Sequence, residues 1–163
     1  MSKTAFIFAG QGAEKVGMGK ELAENFPAAM QIFDKANDAL GFDIKSMIWE
    51  GDDSTLMITE NTQPCIVTMS TACLAVLEEK GIKPDMVAGL SLGEYTAHIA
   101  AGSLKFEDAV RLVKKRGKYM KNKIISWLLI ATLAVSLVAC GGTKEDSAEE
   151  TAQTEEESEE AGI

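Results

Sequence analysis

Gly89-Leu90-Ser91-Leu92-Gly93 lies between a short apolar run, Met86-Val87-Ala88-Gly89, and a stretch of helix-forming composition, Leu92 to Ala101. A serine set two residues from a glycine on either side, at a strand-to-helix junction, fits a nucleophile elbow. The glycines permit a crowded, sharp turn that lifts the hydroxyl above the sheet. The helix that follows supplies an N–H donor and a positive dipole end to a tetrahedral oxyanion. Ser91 is therefore the candidate catalytic nucleophile. The plainer alternative is a glycine-rich turn whose serine only caps the helix.

The residues before this turn alternate strand and helix signals. Thr4 to Phe8 is short, apolar and aromatic, and stops at Ala9-Gly10-Gln11-Gly12, which reads as a buried strand entering a glycine loop. Lys20 to Asn25 has room for a turn or two of helix. Pro27 suits the first position of a longer one that Gly41 ends after Leu40. Asp43 to Glu50 reads as a further short helix closed by Gly51. From Asn61, a candidate cap, with Pro64 near the first turn, apolar residues recur at helical spacing to Gly81. Phe106 to Met120 carries Glu107 and Asp108 in its first turn and Lys114, Lys115, Arg116 and Lys118 near its end, which complements the helix dipole. Strands alternating with helices predict an α/β fold with a mostly parallel sheet and right-handed crossovers.

Hydrophobic residues make up 46% of the 163, but that average hides three compositions in series. Residues 1–120 hold 13 Lys or Arg against 16 Asp or Glu; residues 121–163 hold 3 against 9. No basic excess favours nucleic acid. One His and three Cys are too few for a zinc site of the usual spacing, so no metal is expected. Cys65 and Cys73 fall in one helical run, where eight residues of rise separate them by about 12 Å, beyond disulfide reach. They read as buried thiols of a reducing compartment.

After Met120-Lys121-Asn122-Lys123 come sixteen uncharged residues, Ile124 to Ala139, then Cys140-Gly141-Gly142 and an acidic tail. Sixteen helical residues extend about 24 Å, short of a bilayer's roughly 30 Å hydrocarbon core. A basic start, an apolar centre and small residues at the end form the layout of a secretory signal. Leu137-Val138-Ala139-Cys140 resembles a bacterial lipoprotein lipobox, which makes Cys140 a lipidation candidate. Residues 141–163, with nine acids and one Lys, are expected to be disordered. The expected organisation is a catalytic portion over 1–119, a signal-like or membrane segment over 120–140 that forms an apolar helix, and a tail over 141–163.

Four blocks carry a family resemblance: Phe8-Ala9-Gly10-Gln11-Gly12; Asn61-Thr62-Gln63-Pro64; Gly89-Leu90-Ser91-Leu92-Gly93-Glu94-Tyr95; and Arg111-Leu112-Val113 leading to Arg116-Gly117-Lys118-Tyr119-Met120. In order and spacing they resemble the malonyl-CoA:acyl carrier protein transacylases. The resemblance implies part of that family's α/β-hydrolase-like acyltransferase core. It implies that Ser91 accepts a malonyl group from malonyl-CoA and passes it to the phosphopantetheine thiol of an acyl carrier protein in fatty-acid synthesis, with no cofactor. Gln11 and Leu92 match the positions whose backbone N–H groups form the oxyanion hole, and Arg116 matches the arginine that grips the malonyl carboxylate. A guanidinium fork holds a carboxylate bidentately, as an ammonium does not. Lys114, Lys115 and Lys118 could also meet an acidic carrier protein, and a solvated helix end explains them equally well.

Two departures from the family pattern bear on activity. Leu90 stands where many members have His. The family's general-base histidine lies in a second half beyond the matched blocks. His98, the one histidine here, comes seven residues after Ser91, about 10 Å along a continuous helix, and reads as an ordinary helix residue. The expectation is a chain with the family's identity and little of its activity, cytoplasmic over 1–119, with any membrane contact made through 124–140. The alternatives are a polyketide-type acyltransferase and a lipid-anchored envelope protein whose precursor starts at Met120. The abutting of these readings at 119–123 suggests two joined coding segments.

Overall fold

The computed structural model describes residues 3–120. Strand β1 (Ala5–Phe8) is followed by five helices, α1 (Lys20–Asn25), α2 (Pro27–Leu40), α3 (Ile44–Trp49), α4 (Asp53–Leu56) and α5 (Thr59–Glu79). Strand β2 (Met86–Gly89), helix α6 (Gly93–Ala100) and helix α7, which runs over 106–120, complete the described chain. β1 and β2 pair in parallel, Ala5 beside Met86 and Phe8 beside Gly89, so both strands end at the same edge. Parallel pairing demands a long crossover, and the five helices between the strands supply it. The fold class is mixed α/β with a parallel sheet, as expected.

Local signals set several boundaries. Pro27 occupies the first turn of α2, where its missing N–H removes no helical bond, and Gly41 ends the helix at φ 72° while its N–H donates to the Asn37 carbonyl. Asp43 and Asp52 cap α3 and α4, accepting from the N–H of Ser46 and Thr55. The core forms where α2 crosses α5. Ala29, Phe33 and Ala36 line one face of α2 and pack with Ile44 and Ile48 of α3 and with Cys65, Val67 and Ala72 of α5. Burying Phe33 completely contributes on the order of 2–3 kcal/mol. Its ring lies 5.1 Å from that of Trp49, whose indole N–H donates to the Met18 carbonyl. Val110 and Val113 extend the core from α7.

The structure differs from the sequence expectations in several places. Helix α5 starts at Thr59 with Ile58 as its cap, so Asn61 lies inside the helix; its side-chain amide donates instead to the Thr55 carbonyl and ties α5 to α4. Pro64 is the sixth residue of α5 and sits fully inside it. Strand β1 is not buried throughout: Phe8 is, but Ile7 is 79% exposed. Among the described residues the sheet has two strands, so each keeps one unpaired edge. Phe6, Phe8, Met69, Cys73, Leu74 and Leu77 line an apolar groove between β1 and α5. The thiols of Cys65 and Cys73 are both free, as their spacing on one helix requires; Cys65 is buried as expected, whereas Cys73 is only partly buried, beside the groove between β1 and α5.

No helix among the described residues is long and apolar enough to cross a membrane. The apolar segment 124–140, the lipidation candidate Cys140 and the acidic tail 141–163 lie outside the described residues.

Candidate active site

The two loops that leave the carboxyl ends of β1 and β2 are pressed against each other. Leu90 N–H donates to the Phe8 carbonyl at 3.1 Å, which extends the strand pairing one residue into the turn. Gly93 then passes so close to β1 that a methyl group there would overlap the carbonyl oxygens of Phe8 and Ala9; one on Gly89 would overlap the backbone of Gly93 and Glu94. Only glycine fits either position. The chain consequently reverses within three residues, and Ser91 is driven to φ 50°, the one described non-glycine residue with positive φ. A side chain held in the left-handed region costs on the order of 1–2 kcal/mol, a strain the flanking structure imposes on Ser91.

That strain places the hydroxyl outward. Ser91 is exposed, and its Oγ has no hydrogen-bond partner among the described residues. Helix α6 has no side-chain cap, which removes the reading of Ser91 as a capping residue. Its carbonyl accepts from Glu94 N–H at 3.2 Å, and Leu92, fully buried, anchors the first turn. The N–H groups of Gln11 and Leu92 have no acceptor among the described residues, so both expected oxyanion donors are uncommitted.

Arg116 reaches the same region from α7. Gly117 beside it is buried against the start of α5: a methyl there would lie 2.7 Å from the Thr59 carbonyl oxygen and 2.8 Å from the Glu60 Cα. This close crossing seats α7 on α5. The Arg116 guanidinium carbon lies 6.0 Å from the centre of the Tyr95 ring, in the first turn of α6. Arg116 forms no ion pair among the described residues. A half-buried guanidinium stacked on an aromatic ring and lacking a carboxylate partner is suited to an incoming anion.

Gln63 belongs to this cluster, although sequence reasoning assigned it no role. It is fully buried on α5, and its amide nitrogen lies 3.4 Å from the Gln11 side-chain oxygen and 3.5 Å from the Met120 sulfur. The Gln11 amide nitrogen in turn lies 3.5 Å from the Thr59 hydroxyl. The Gln63 side-chain oxygen has no donor among the described residues. The signal available in the sequence was its place in the Asn61-Thr62-Gln63-Pro64 block. His98, by contrast, sits at the far end of α6 with its Nδ1 2.9 Å from the Ser103 hydroxyl, in the turn that closes the helix. The histidine is engaged away from the elbow.

Residues 5–138 match the acyl transferase domain family. The chain belongs to that family. The chain is 51% identical over 124 residues to the malonyl CoA-acyl carrier protein transacylase of Bacillus subtilis strain 168, an alignment covering 76% of this chain and 39% of the relative. Among solved structures, the MCAT of Streptococcus pneumoniae superposes with a TM-score of 0.71 at 51% identity, covering 74% of this chain and 39% of that one. A malonyl-transacylase in complex with a type II polyketide acyl-carrier protein superposes at 0.72 with 42% identity, covering 74% and 40%. The chain thus spans about two fifths of the length of the relatives it matches.

Proposed function

We propose that residues 1–119 carry the nucleophile-bearing portion of a malonyl-CoA:acyl carrier protein transacylase. The observation that carries this reading is the strained Ser91 turn, with its exposed hydroxyl, in a chain half identical to a malonyl CoA-acyl carrier protein transacylase. In the proposed reaction the Ser91 oxygen attacks the thioester carbonyl of malonyl-CoA. The tetrahedral oxyanion takes hydrogen bonds from the N–H groups of Gln11 and Leu92, and coenzyme A leaves as its thiol. The malonyl ester then passes to the phosphopantetheine thiol of the carrier protein and Ser91 is regenerated. No cofactor takes part. Arg116 holds the free malonyl carboxylate, and an acetyl group would leave that guanidinium desolvated without its anion.

The proton of Ser91 needs a base, and His98 is not placed to serve. The 163-residue chain assayed alone is therefore expected to transfer little malonyl to a carrier protein, and efficient transfer would overturn that expectation. Substrate selection is tested in a protein whose residues 1–120 continue into the remaining three fifths of the Bacillus subtilis relative. Replacing Arg116 by Ala there removes a charge-assisted pair, so the preference for malonyl over acetyl thioesters should fall about 10–100-fold. An unchanged preference would remove Arg116 from the site. A fatty-acid carrier protein is the proposed acceptor. The polyketide-type alternative has the 42% identical malonyl-transacylase in its favour and uses the same Ser91 chemistry.

For residues 120–140 a lipoprotein-signal role is proposed on sequence alone, from Leu137-Val138-Ala139-Cys140. The acyl transferase match reaches residue 138, so two readings compete for this stretch. A labelled fatty acid recovered on Cys140 in cells would favour the lipid anchor; an intact unlabelled chain would remove it.

A further inference from the structure

Helix α5 buries three threonines and one glutamine. The threonines are satisfied close by: the hydroxyls of Thr62, Thr68 and Thr71 donate to the carbonyls of Leu56, Pro64 and Val67. Gln63 is not. It is fully buried, yet its amide nitrogen meets only the Gln11 side chain, 52 residues away, and the Met120 sulfur. Its oxygen has no donor among the described residues. Leaving that oxygen unpaired costs its full desolvation, whereas an apolar side chain of the same shape would be close to neutral for stability. Packing alone does not explain a glutamine here.

Its neighbours suggest a use. Gln11 stands exposed in the glycine loop after β1, and that loop is clasped unevenly. A methyl on Gly10 would lie 2.8 Å from the Leu90 carbonyl oxygen, whereas one on Gly12 would meet nothing within 4 Å. The Gln11 side chain, between Gln63 and the Thr59 hydroxyl, is what ties the loop to α5. Thr59 and Gln63 are four residues apart and share a face of that helix. Against this face α7 sets Gly117 beside Thr59 and Met120 beside Gln63. Arg116 comes four residues before Met120, so it leaves α7 on the same side one turn earlier. A guanidinium has five N–H donors, and those of Arg116 have no acceptor among the described residues. The unpaired oxygen and the unspent donors therefore belong to one corner of the site.

We propose that Gln63 is a positioning residue that couples the two ends of the site: its N–H group steadies Gln11, and its free oxygen accepts an N–H of Arg116 when a carboxylate draws the guanidinium from the Tyr95 ring. A carboxylate bound at Arg116 then also fixes, through Gln63 and Gln11, the backbone N–H that meets the oxyanion. A thioester without a carboxylate leaves that loop held from the Gly10 side alone. Gln63 touches neither substrate nor reacting atoms in this role. The inference rests on the transacylase reading for the carboxylate, and on Gln11, Gln63 and Arg116 for the relay.

The test titrates malonate, as the probe, into the full isotope-labelled chain and follows assigned N–H signals by two-dimensional NMR. In the wild type the Arg116 Nε–H, the Gln63 side-chain amide and the Gln11 backbone N–H should shift along one saturation curve. Arg116→Ala should abolish the shifts at Gln63 and Gln11. Gln63→Met keeps the volume and removes the amide; Arg116 should still respond, with affinity about threefold to tenfold weaker, while the Gln11 N–H stays still. Gln63→Glu sets a carboxylate beside Arg116 and should weaken malonate binding about tenfold or more. The thermal midpoint of each variant checks that the fold survives, and a glutamine with a structural role alone would leave the Gln11 response in place. A wild-type Gln11 N–H that stays still while Arg116 responds, or one that moves equally in Gln63→Met, would overturn the relay and spare Arg116 as the carboxylate site. An Arg116 that does not respond to malonate would overturn the relay and that carboxylate role together.

Discussion

Replacing Ser91 by Gly should make the protein more stable while removing its nucleophile. The left-handed φ of 50° at Ser91 is imposed by the overlap of Gly89 and Gly93 with neighbouring backbone, and it charges a side chain about 1–2 kcal/mol. Glycine escapes that strain but gains freedom in the unfolded chain, a loss of about 0.4–1 kcal/mol. The difference is a net gain of about 0.5–1 kcal/mol, or roughly 2–4 °C in melting midpoint for a domain of this size. Ser91→Ala is the comparison, because alanine keeps the Cβ and so keeps the strain, and no hydrogen bond of the hydroxyl is lost with it. Circular dichroism melts of the three proteins at one concentration decide the matter. A Gly variant no more stable than the Ala variant would show that the turn is not strained, and the geometric case for an elbow would fall with it.

Gly93→Ala should cost about 2–3 kcal/mol and lower the midpoint by roughly 8–12 °C, since the added methyl meets the Phe8 and Ala9 carbonyls and backbone must move; a midpoint within 2 °C would refute that contact. Burial pushes the Cys65 thiol up to about 12 and raises that of Cys73 as well, so peptide mapping after alkylation at about pH 8 should find Cys73 modified slowly and Cys65 only after unfolding. The Ser46 hydroxyl and N–H hold the Asp43 carboxyl at about 2, and Ser54 with Thr55 does the same for Asp52. These folded-state values lie below the unfolded ones, so the stabilisation is complete above about pH 4 and is lost as pH falls through about 2. The acid limb of stability should flatten in Asp43→Asn with Asp52→Asn, and an unchanged limb would remove both carboxylates from the explanation.

What the sequence revealed is what short stretches of chain determine for themselves. Pro27 and Gly41 bracket α2 because each carries its own φ preference, and the Gly89 to Gly93 turn is set within five residues. Helix α4 was missed because four residues are too few for a period, although Asp52 was there as its cap. Asn61 misled as a cap because its partner, the Thr55 carbonyl, belongs to another helix. Ile7 was expected inside because an apolar strand does not state how many neighbours its sheet will have. Arg116 looked like one more cation at a helix end until the family resemblance singled it out, and the close crossing at Gly117 then placed it over Tyr95. Gln63 acquires meaning only from Gln11 and Met120, fifty or more residues away on either side.

The most direct measurement is the site of acylation. The protein whose residues 1–120 continue into the rest of the Bacillus subtilis relative is incubated with labelled malonyl-CoA, digested, and mapped by mass spectrometry. The label should reside on the Ser91 peptide in the wild type and vanish in Ser91→Ala; a malonyl adduct undiminished in that variant, or carried by another residue, would contradict the account.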